Sequence, residues 1–522
     1  MREAPWKRYV NQCWDLSFSS GVPPGFLVSM VDRKFGKFRS IFWPIHRREL
    51  VPVLGLMAVF FFAAFSYHLL RQIKDNLILD TTKGGMEVVP FIKGWILFPL
   101  SFLAVYLISA SERWLEEKTT LMLSLGSFLG YFLFFFLWIY PNRASLNCHF
   151  LADFLEGFHF SGLNGMILMI RHWHVSVFYV IAELWGSLVI QVTLWGFVND
   201  MVPISDAKRI YVPLNFALSI SGVLASSLSV HFLFNQNVSF PCLGTTRWEQ
   251  GFKLALVSVL ISGFISLILI KTLPLSYWKK RTERKEGDPL SFSQHFLQVL
   301  TRPYTLYLAM SVFSFNILSS TLELFWKEHI RELHDVSSGA FSLHVSQVMT
   351  WMAFFTTLSC FAFSNEVIRF LPWNISFLLT PLVVSLTVFV FFFSATFPKI
   401  ISPAAQMVKM SPLQLTVLTG DVAICISRIF RYVLFDLIKE LSYLPLGKEE
   451  RIQAKTFIDG LVSRAGRITS SVLSISLMSL GGNLIDSILF MHLLCTGISV
   501  AWIGVTSRLS TLFIHQEKGA KK

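Results

Sequence analysis

Val175-Ser-Val-Phe-Tyr-Val-Ile-Ala-Glu-Leu-Trp-Gly-Ser-Leu-Val-Ile-Gln-Val-Thr-Leu-Trp-Gly-Phe-Val198 is the stretch whose reading decides the fold. It has the length that a helix rising about 1.5 Å per residue needs to cross the hydrocarbon core of a bilayer. One carboxylate, Glu183, sits inside it. A charge at that depth costs at least about 2.5–3.5 kcal/mol on insertion scales, so it requires a water-filled path and a partner of opposite sign. A Glu that only ties two helices together would meet that requirement; a substrate or proton site is the functional alternative.

The rest of the chain has the same character. Of 522 residues 53% are hydrophobic and only 15% charged, against about 25% charged in a soluble domain, so the chain reads as an all-α polytopic membrane protein. Its net charge of +13 would suggest nucleic acid in a soluble protein, but the basic residues cluster outside the apolar runs, as the positive-inside rule expects, so no nucleic-acid partner is read from it. The N-terminal 50 residues are charged throughout and do not read as a signal peptide.

Spans are expected near 51–70, 88–109, 119–140, 175–199, 210–234 and 252–275, with a loop at 200–209. The densest charge run, Trp278-Lys-Lys-Arg-Thr-Glu-Arg-Lys-Glu-Gly-Asp-Pro289, then reads as a cytoplasmic linker. Six more follow near 303–325, 343–363, 373–394, 408–433, 456–480 and 483–506. The expected organisation is a cytoplasmic segment 1–50, a six-helix bundle 51–276, a linker 277–302, a second six-helix bundle 303–508 and a basic tail 509–522, with both termini cytoplasmic. Two such bundles around a midplane site are the layout of alternating-access transporters, although no close sequence repeat relates the halves.

Further charges lie inside this apolar frame. Arg71, Lys74 and Asp75 share a helix face at the end of span one, and Glu323 ends span seven at the matching place. Asp421, Arg428, Arg431 and Asp436 punctuate span ten; Lys455, Asp459, Arg464 and Arg467 punctuate span eleven. Lys327, Arg431 and Arg467 are equally readable as interfacial residues that snorkel. Convergent Lys and Arg at membrane depth suit a phosphate- or carboxylate-bearing ligand.

No phosphate-cradling G-x-x-x-x-G-K-[ST], H-E-x-x-H or G-x-S-x-G occurs, so neither an ATP-driven motor nor a common hydrolase is read; the expectation is a carrier, not an enzyme, with no cofactor. His329, Glu332 and His334 do not share one helical face and are read as a solvated loop, not a metal site. The six cysteines contain no C-x-x-C, while Cys148 and Cys242 fall in two loops expected outside, where a bridge between them is conceivable.

Together these segments resemble the ATP/ADP translocase family of obligate intracellular bacteria (Chlamydiae and Rickettsiae) and plastids. The resemblance is carried by Phe42-Trp-Pro-Ile-His-Arg-Arg-Glu-Leu50, Leu70-Arg-Gln-Ile-Lys-Asp75, Phe178-Tyr-Val-Ile-Ala-Glu-Leu-Trp-Gly-Ser187, Leu194-Trp-Gly-Phe-Val-Asn199, Ile204-Ser-Asp-Ala-Lys-Arg-Ile-Tyr211, Leu322-Glu-Leu-Phe-Trp-Lys327, Leu434-Phe-Asp-Leu-Ile-Lys-Glu-Leu-Ser-Tyr-Leu-Pro-Leu446 and Lys455-Thr-Phe-Ile-Asp459 with Ser463-Arg464. It implies a major-facilitator-like fold of about twelve helices in a bacterial inner membrane, a monomer in the bilayer, and a nucleotide between the halves. It places transport-critical charges at Lys74, Glu183, Glu323 and Lys455, with Arg71, Asp75, Asp459 and Arg464 beside them. Gln72 and Gly466-Arg-Ile-Thr-Ser470 depart from the family's usual Arg-Asp-Thr-Lys-Asp-Thr and Gly-Lys-Ser-Gly-Gly. Exchange of ATP for ADP is the main expectation; proton-coupled uptake of a nucleotide such as GTP, UTP or NAD, or of another organic anion, is the alternative.

Overall fold

The computed structural model describes residues 45, 49–83, 86–111, 115–158, 163–202, 204–235, 237, 240–273, 302–334, 339–362, 372–443, 445–446, 454, 456–481 and 484–520. Among them are twelve long helices and no strand. They are α1 (Leu50–Thr82), α2 (88–111), α3 (117–139), α4 (173–201), α5 (204–233), α6 (Arg247–Thr272), α7 (Pro303–Leu333), α8 (Ala340–Ala362), α9 (Trp373–Thr396), α10 (Pro412–Ser442), α11 (456–481) and α12 (Ile488–Ala520). Nine of these described helices contain stretches long and apolar enough to cross a membrane, and the chain is a multi-pass membrane protein. Leu137, Leu386, Leu493 and Val500 are each more than half exposed, as expected of side chains that meet lipid tails.

Several helix ends differ from the sequence expectation for reasons of local chemistry. α1 does not stop at Leu70 but continues to Thr82, where Lys83 turns left-handed at φ 50° and its N–H bonds the Leu79 carbonyl. The charges after Leu70 have partners, so they do not end the span. The expected loop at 200–209 is almost absent, since α5 already starts at Ile204. α10 begins at Pro412, not 408, because Ser411 and Gln414 close a capping box, each side chain bonding the other's backbone N–H. The segment before it forms the short helix Pro398–Met407. The longer connection 141–172 holds two more short helices, His149–Glu156 and Asn164–Arg171.

The packing reveals a repeat that the sequence hides. α1 packs on α4, α5 and α6, and α6 on α3; α7 packs on α10, α11 and α12, and α12 on α9. The second six helices therefore repeat the contacts of the first six, as in carriers built from parallel repeats about an axis along the membrane normal. The halves meet through α5 against α8 on one side and α2 against α11 on the other.

One further expectation is corrected, and the conceivable bridge is not formed. His329 is not in a solvated loop: it lies on the last turns of α7, buried, its Nδ1–H donating to the Phe325 carbonyl at 2.8 Å. Cys148 and Cys242 are both free thiols, so no bridge joins them.

Candidate functional site

Seven charged side chains form a lattice near the Thr82 end of α1. Glu183 on α4 stands 3.2 Å from the Lys74 ammonium, which is also 3.2 Å from Asp75 and 3.8 Å above the centre of the Tyr179 ring. The other oxygen of Asp75 accepts from Lys327 on α7 at 2.8 Å, and Lys327 donates to Glu323 at 2.8 Å. Glu323 in turn accepts from Arg71 at 3.2 Å and from Arg428 on α10 at 2.9 Å. Lys74, Asp75 and Lys327 are at most 4% exposed. Ion pairs so buried are weak sources of net stability, but removing one partner is costly. Four cations against three carboxylates leave the lattice one positive charge in excess.

The lattice also ties the halves together, because Asp75 and Arg71 belong to the first and Lys327 and Glu323 to the second. Further bonds at the same end add to this tie: Asn76 donates to Ser342 at 2.8 Å, Ser346 to the Gln72 side-chain amide oxygen at 3.0 Å, and the Met86 N–H to the Glu328 carboxylate at 2.6 Å. The other end of Gln72 donates to Ser226 at 2.8 Å, so the departure from the family pattern at this position carries a three-helix junction among α1, α5 and α8.

Below this seal lies a cavity of about 650 Å³ between the halves, within the roughly 300–1,000 Å³ usual for small-molecule sites. Arg71 and Glu183 form its roof, and Tyr67 and His68 line α1 beneath them. Tyr67 lies against Gly186, where a Cβ would approach its ring to 2.5 Å. Lys93 on α2 and Arg464 and Arg467 on α11 also face the cavity, and among the described residues none has a carboxylate within 4.0 Å. Toward the Leu50 end the lining side chains Gln191, Asn215 and Tyr432 are exposed, so the cavity is open on that side.

Of the residues singled out in the sequence, Arg71, Lys74, Asp75, Glu183 and Glu323 meet in the lattice, and Arg464 joins the cavity wall. Asp459 stands elsewhere, 2.8 Å from Lys439 on α10. Lys455 lies outside the described residues. Lys327 and Arg467, equally readable as interfacial, are respectively buried in the lattice and facing the cavity. Lys93 was missed; a lone Lys within the apolar run Phe91-Ile-Lys-Gly-Trp95 was the available signal.

The model of the TLC ATP/ADP transporter family matches residues 28–513. ADP,ATP carrier protein 1 of Chlamydia pneumoniae is 30% identical, with 93% of this chain and 96% of that protein covered. ADP,ATP carrier protein 4 of Rickettsia prowazekii is 25% identical over 95% of this chain and 98% of its own length. Among solved structures, the nucleoside transporter NupG superposes with a TM-score of 0.52 at 12% identity, covering 90% of this chain and 99% of that one, which establishes a major-facilitator-type fold. With a family match over nearly its whole length and a polar, cation-rich cavity between two equivalent helix bundles, the chain belongs to the TLC ATP/ADP transporter family.

Proposed function

We propose that this protein exchanges ATP for ADP across a bacterial inner membrane by alternating access, moving the nucleotide unchanged. The observation that carries the reading is the set of three cations, Lys93, Arg464 and Arg467, that face the central cavity without an ion-pair partner among the described residues. Unpaired cations at membrane depth are expensive unless an anion completes them, and guanidinium and ammonium groups make strong charge-assisted bonds to phosphate. The ADP,ATP carriers that the chain resembles supply the nucleotide.

In this reading the bundles 51–276 and 303–508 rock about the site, the segment 277–302 links them in the cytoplasm, and both termini are cytoplasmic. The Leu50 end then faces the cytoplasm, and the described state is open inward and sealed outward by the lattice. Lys74, Glu183, Glu323 and Lys455 are the transport-critical charges, with Arg71, Asp75, Asp459 and Arg464 supporting them. Opening the outer side separates Asp75 from Lys327 and Arg71 from Glu323. Asp75 keeps Lys74, and Glu323 keeps Lys327 and Arg428, within their own halves, so what the opening gives up is the two charge-assisted bonds between the halves. A polyphosphate in the cavity offsets part of that cost by engaging the released cations; an empty carrier has no such help. The same logic favours exchange over unaccompanied entry: ATP with four charges faces roughly 9 kcal/mol against 100 mV, and returning ADP leaves one charge to move. The protein works as a monomer in the lipid bilayer, without metal, cofactor or nucleic acid.

Purified protein in liposomes tests this directly. Preloading with unlabelled ADP should accelerate uptake of labelled ATP severalfold, with little effect of an uncoupler. If preloading changes nothing and collapse of a proton gradient stops uptake, exchange is wrong.

A further inference from the structure

The two halves carry a matching feature outside the bundles. The connections α3–α4 and α9–α10 are equivalent in the repeat, and each holds a short helix, His149–Glu156 in the first and Pro398–Met407 in the second. Both lie at the Thr82 end. The first connection packs on the start of α2 through Asn164–Arg171. For the second, Glu323 meets Arg428 and, further along α7, Trp326 meets Asp421, so α10 runs antiparallel to α7 and starts at that same end.

Each short helix has a packed side and two unlike flanks. In the first, Ala152 is fully buried, and Asp153 and Glu156 on one flank both accept from Arg171 at 2.7 Å. The other flank is Phe150, Leu151 and Phe154, continued by Phe158, whose ring centre is 5.1 Å from that of Phe154; Phe150 is 88% exposed. In the second, Ala405 is buried and the helix packs on α10. Lys399, Ser402 and Gln406 share one flank at helical spacing, Ile400, Ala404 and Met407 the other, and Met407 is 89% exposed. Apolar flanks of this kind are unfavourable in water. Each helix also follows a span whose final turns are exposed and apolar, with Phe134, Leu137 and Trp138 on α3 and Leu386, Phe389 and Val390 on α9. Lipid covers those turns, and it is the medium that the next apolar surface along the chain meets.

We infer that both short helices lie in the bilayer–water interface of the leaflet at the Thr82 end, their aromatic and aliphatic flanks at the acyl-chain boundary and their polar flanks in water. This is the binding mode of amphipathic interfacial helices. Each half thereby has its own anchor at the end where the lattice closes. The inference needs only a multi-pass membrane protein and stands apart from the nucleotide reading.

The test uses the full-length chain with its native cysteines replaced, reconstituted in phosphatidylcholine liposomes. A bimane fluorophore is attached to Phe154→Cys or Met407→Cys on the apolar flanks, and to Asp153→Cys or Gln406→Cys on the polar ones. Lipids brominated on their acyl chains should quench the first pair several-fold more than the second, and iodide present on both sides of the membrane should quench the second pair several-fold more than the first. Equal quenching of the two pairs by iodide overturns the inference. Quenching of the first pair by neither agent also overturns it, because a second copy of the chain would then cover these flanks. Hydroxyl-radical footprinting of the unlabelled protein in the same liposomes checks that the label does not itself drive the contact. Met407 should be oxidised several-fold more slowly there than in a free peptide of residues 398–410, and equal rates overturn the placement of the second helix.

Discussion

Glu323 is the single carboxylate within 4.0 Å of both Arg71 and Arg428 among the described residues, and it also holds Lys327. Glu323→Gln keeps the volume of the side chain but leaves two guanidinium groups facing each other without their counter-ion. The expected cost is about 3 kcal/mol, the low end for a broken buried pair because these side chains are 12–16% exposed to the cavity. It should be read as a lowered melting temperature and as loss of exchange, and Arg428→Met in the same chain should recover most of the stability but not the transport. A Glu323→Gln protein as stable as the wild type would show that the lattice is not a mutually dependent unit. The depth of Glu183, Lys74 and Glu323 was legible in the sequence because an ion inside an apolar run is conspicuous. Their pairing was not, because Asp75 and Lys327 meet across 252 positions of chain and nothing local announces it. Lys327 was ambiguous for a related reason: a lysine near a helix end is equally compatible with snorkelling until the opposing carboxylate is located.

Helix starts were misplaced even where the backbone has a chemical stop. Thr246 caps α6 by accepting from the Glu249 N–H, so that it starts at Arg247 and not 252, and Ser411 caps α10 at Pro412 and not 408. Helix ends were also misjudged where charge was taken for the end of a span, as at Leu70 in α1. Also unannounced are the wider π-turns at Ile92–Leu97 in α2, Trp185–Leu194 in α4 and Arg431–Phe435 in α10. Each bears a cavity-lining residue, namely Lys93, Gln191 and Tyr432, in keeping with the tendency of such turns to occur at functional sites. The crossing of α1 and α4 depends on Gly186, since a Cβ there would come within 2.5 Å of the Tyr67 ring. The ring is the movable partner, and it borders the cavity, so Gly186→Val should push it inward without unfolding the protein. The expected result is a several-fold rise in KM for ATP at normal membrane abundance, relieved when Tyr67→Ala is added. If the double variant is no better than Gly186→Val alone, the steric route through Tyr67 is wrong.

At the scale of the molecule, the equivalence of the two halves was anticipated from the placement of charge and hydropathy, yet only the packing of α1 with α4, α5 and α6, matched by α7 with α10, α11 and α12, makes it a structural repeat. Sequence comparison of the halves misses it because bundle packing constrains small and apolar positions loosely, so the contacts survive while the residues drift. A repeat of this kind rocks as two rigid bodies, and one end must part when the other closes. The polar contacts between halves described above cluster at the Thr82 end, which must therefore separate in the opposite state. Asn76 on α1 and Ser342 on α8 mark that seam, their side chains bonded at 2.8 Å. In a protein whose native cysteines, Cys13, Cys148, Cys242, Cys360, Cys425 and Cys495, have been replaced, the pair Asn76→Cys and Ser342→Cys brings two thiols together in the state described, and a disulfide between them would hold that end shut. Oxidation should abolish exchange and reduction should restore it, while either single substitution should remain active under both conditions. Full exchange by a chain shown by mass spectrometry to be quantitatively cross-linked would mean that this end never opens, and the cycle would have to run without parting the lattice.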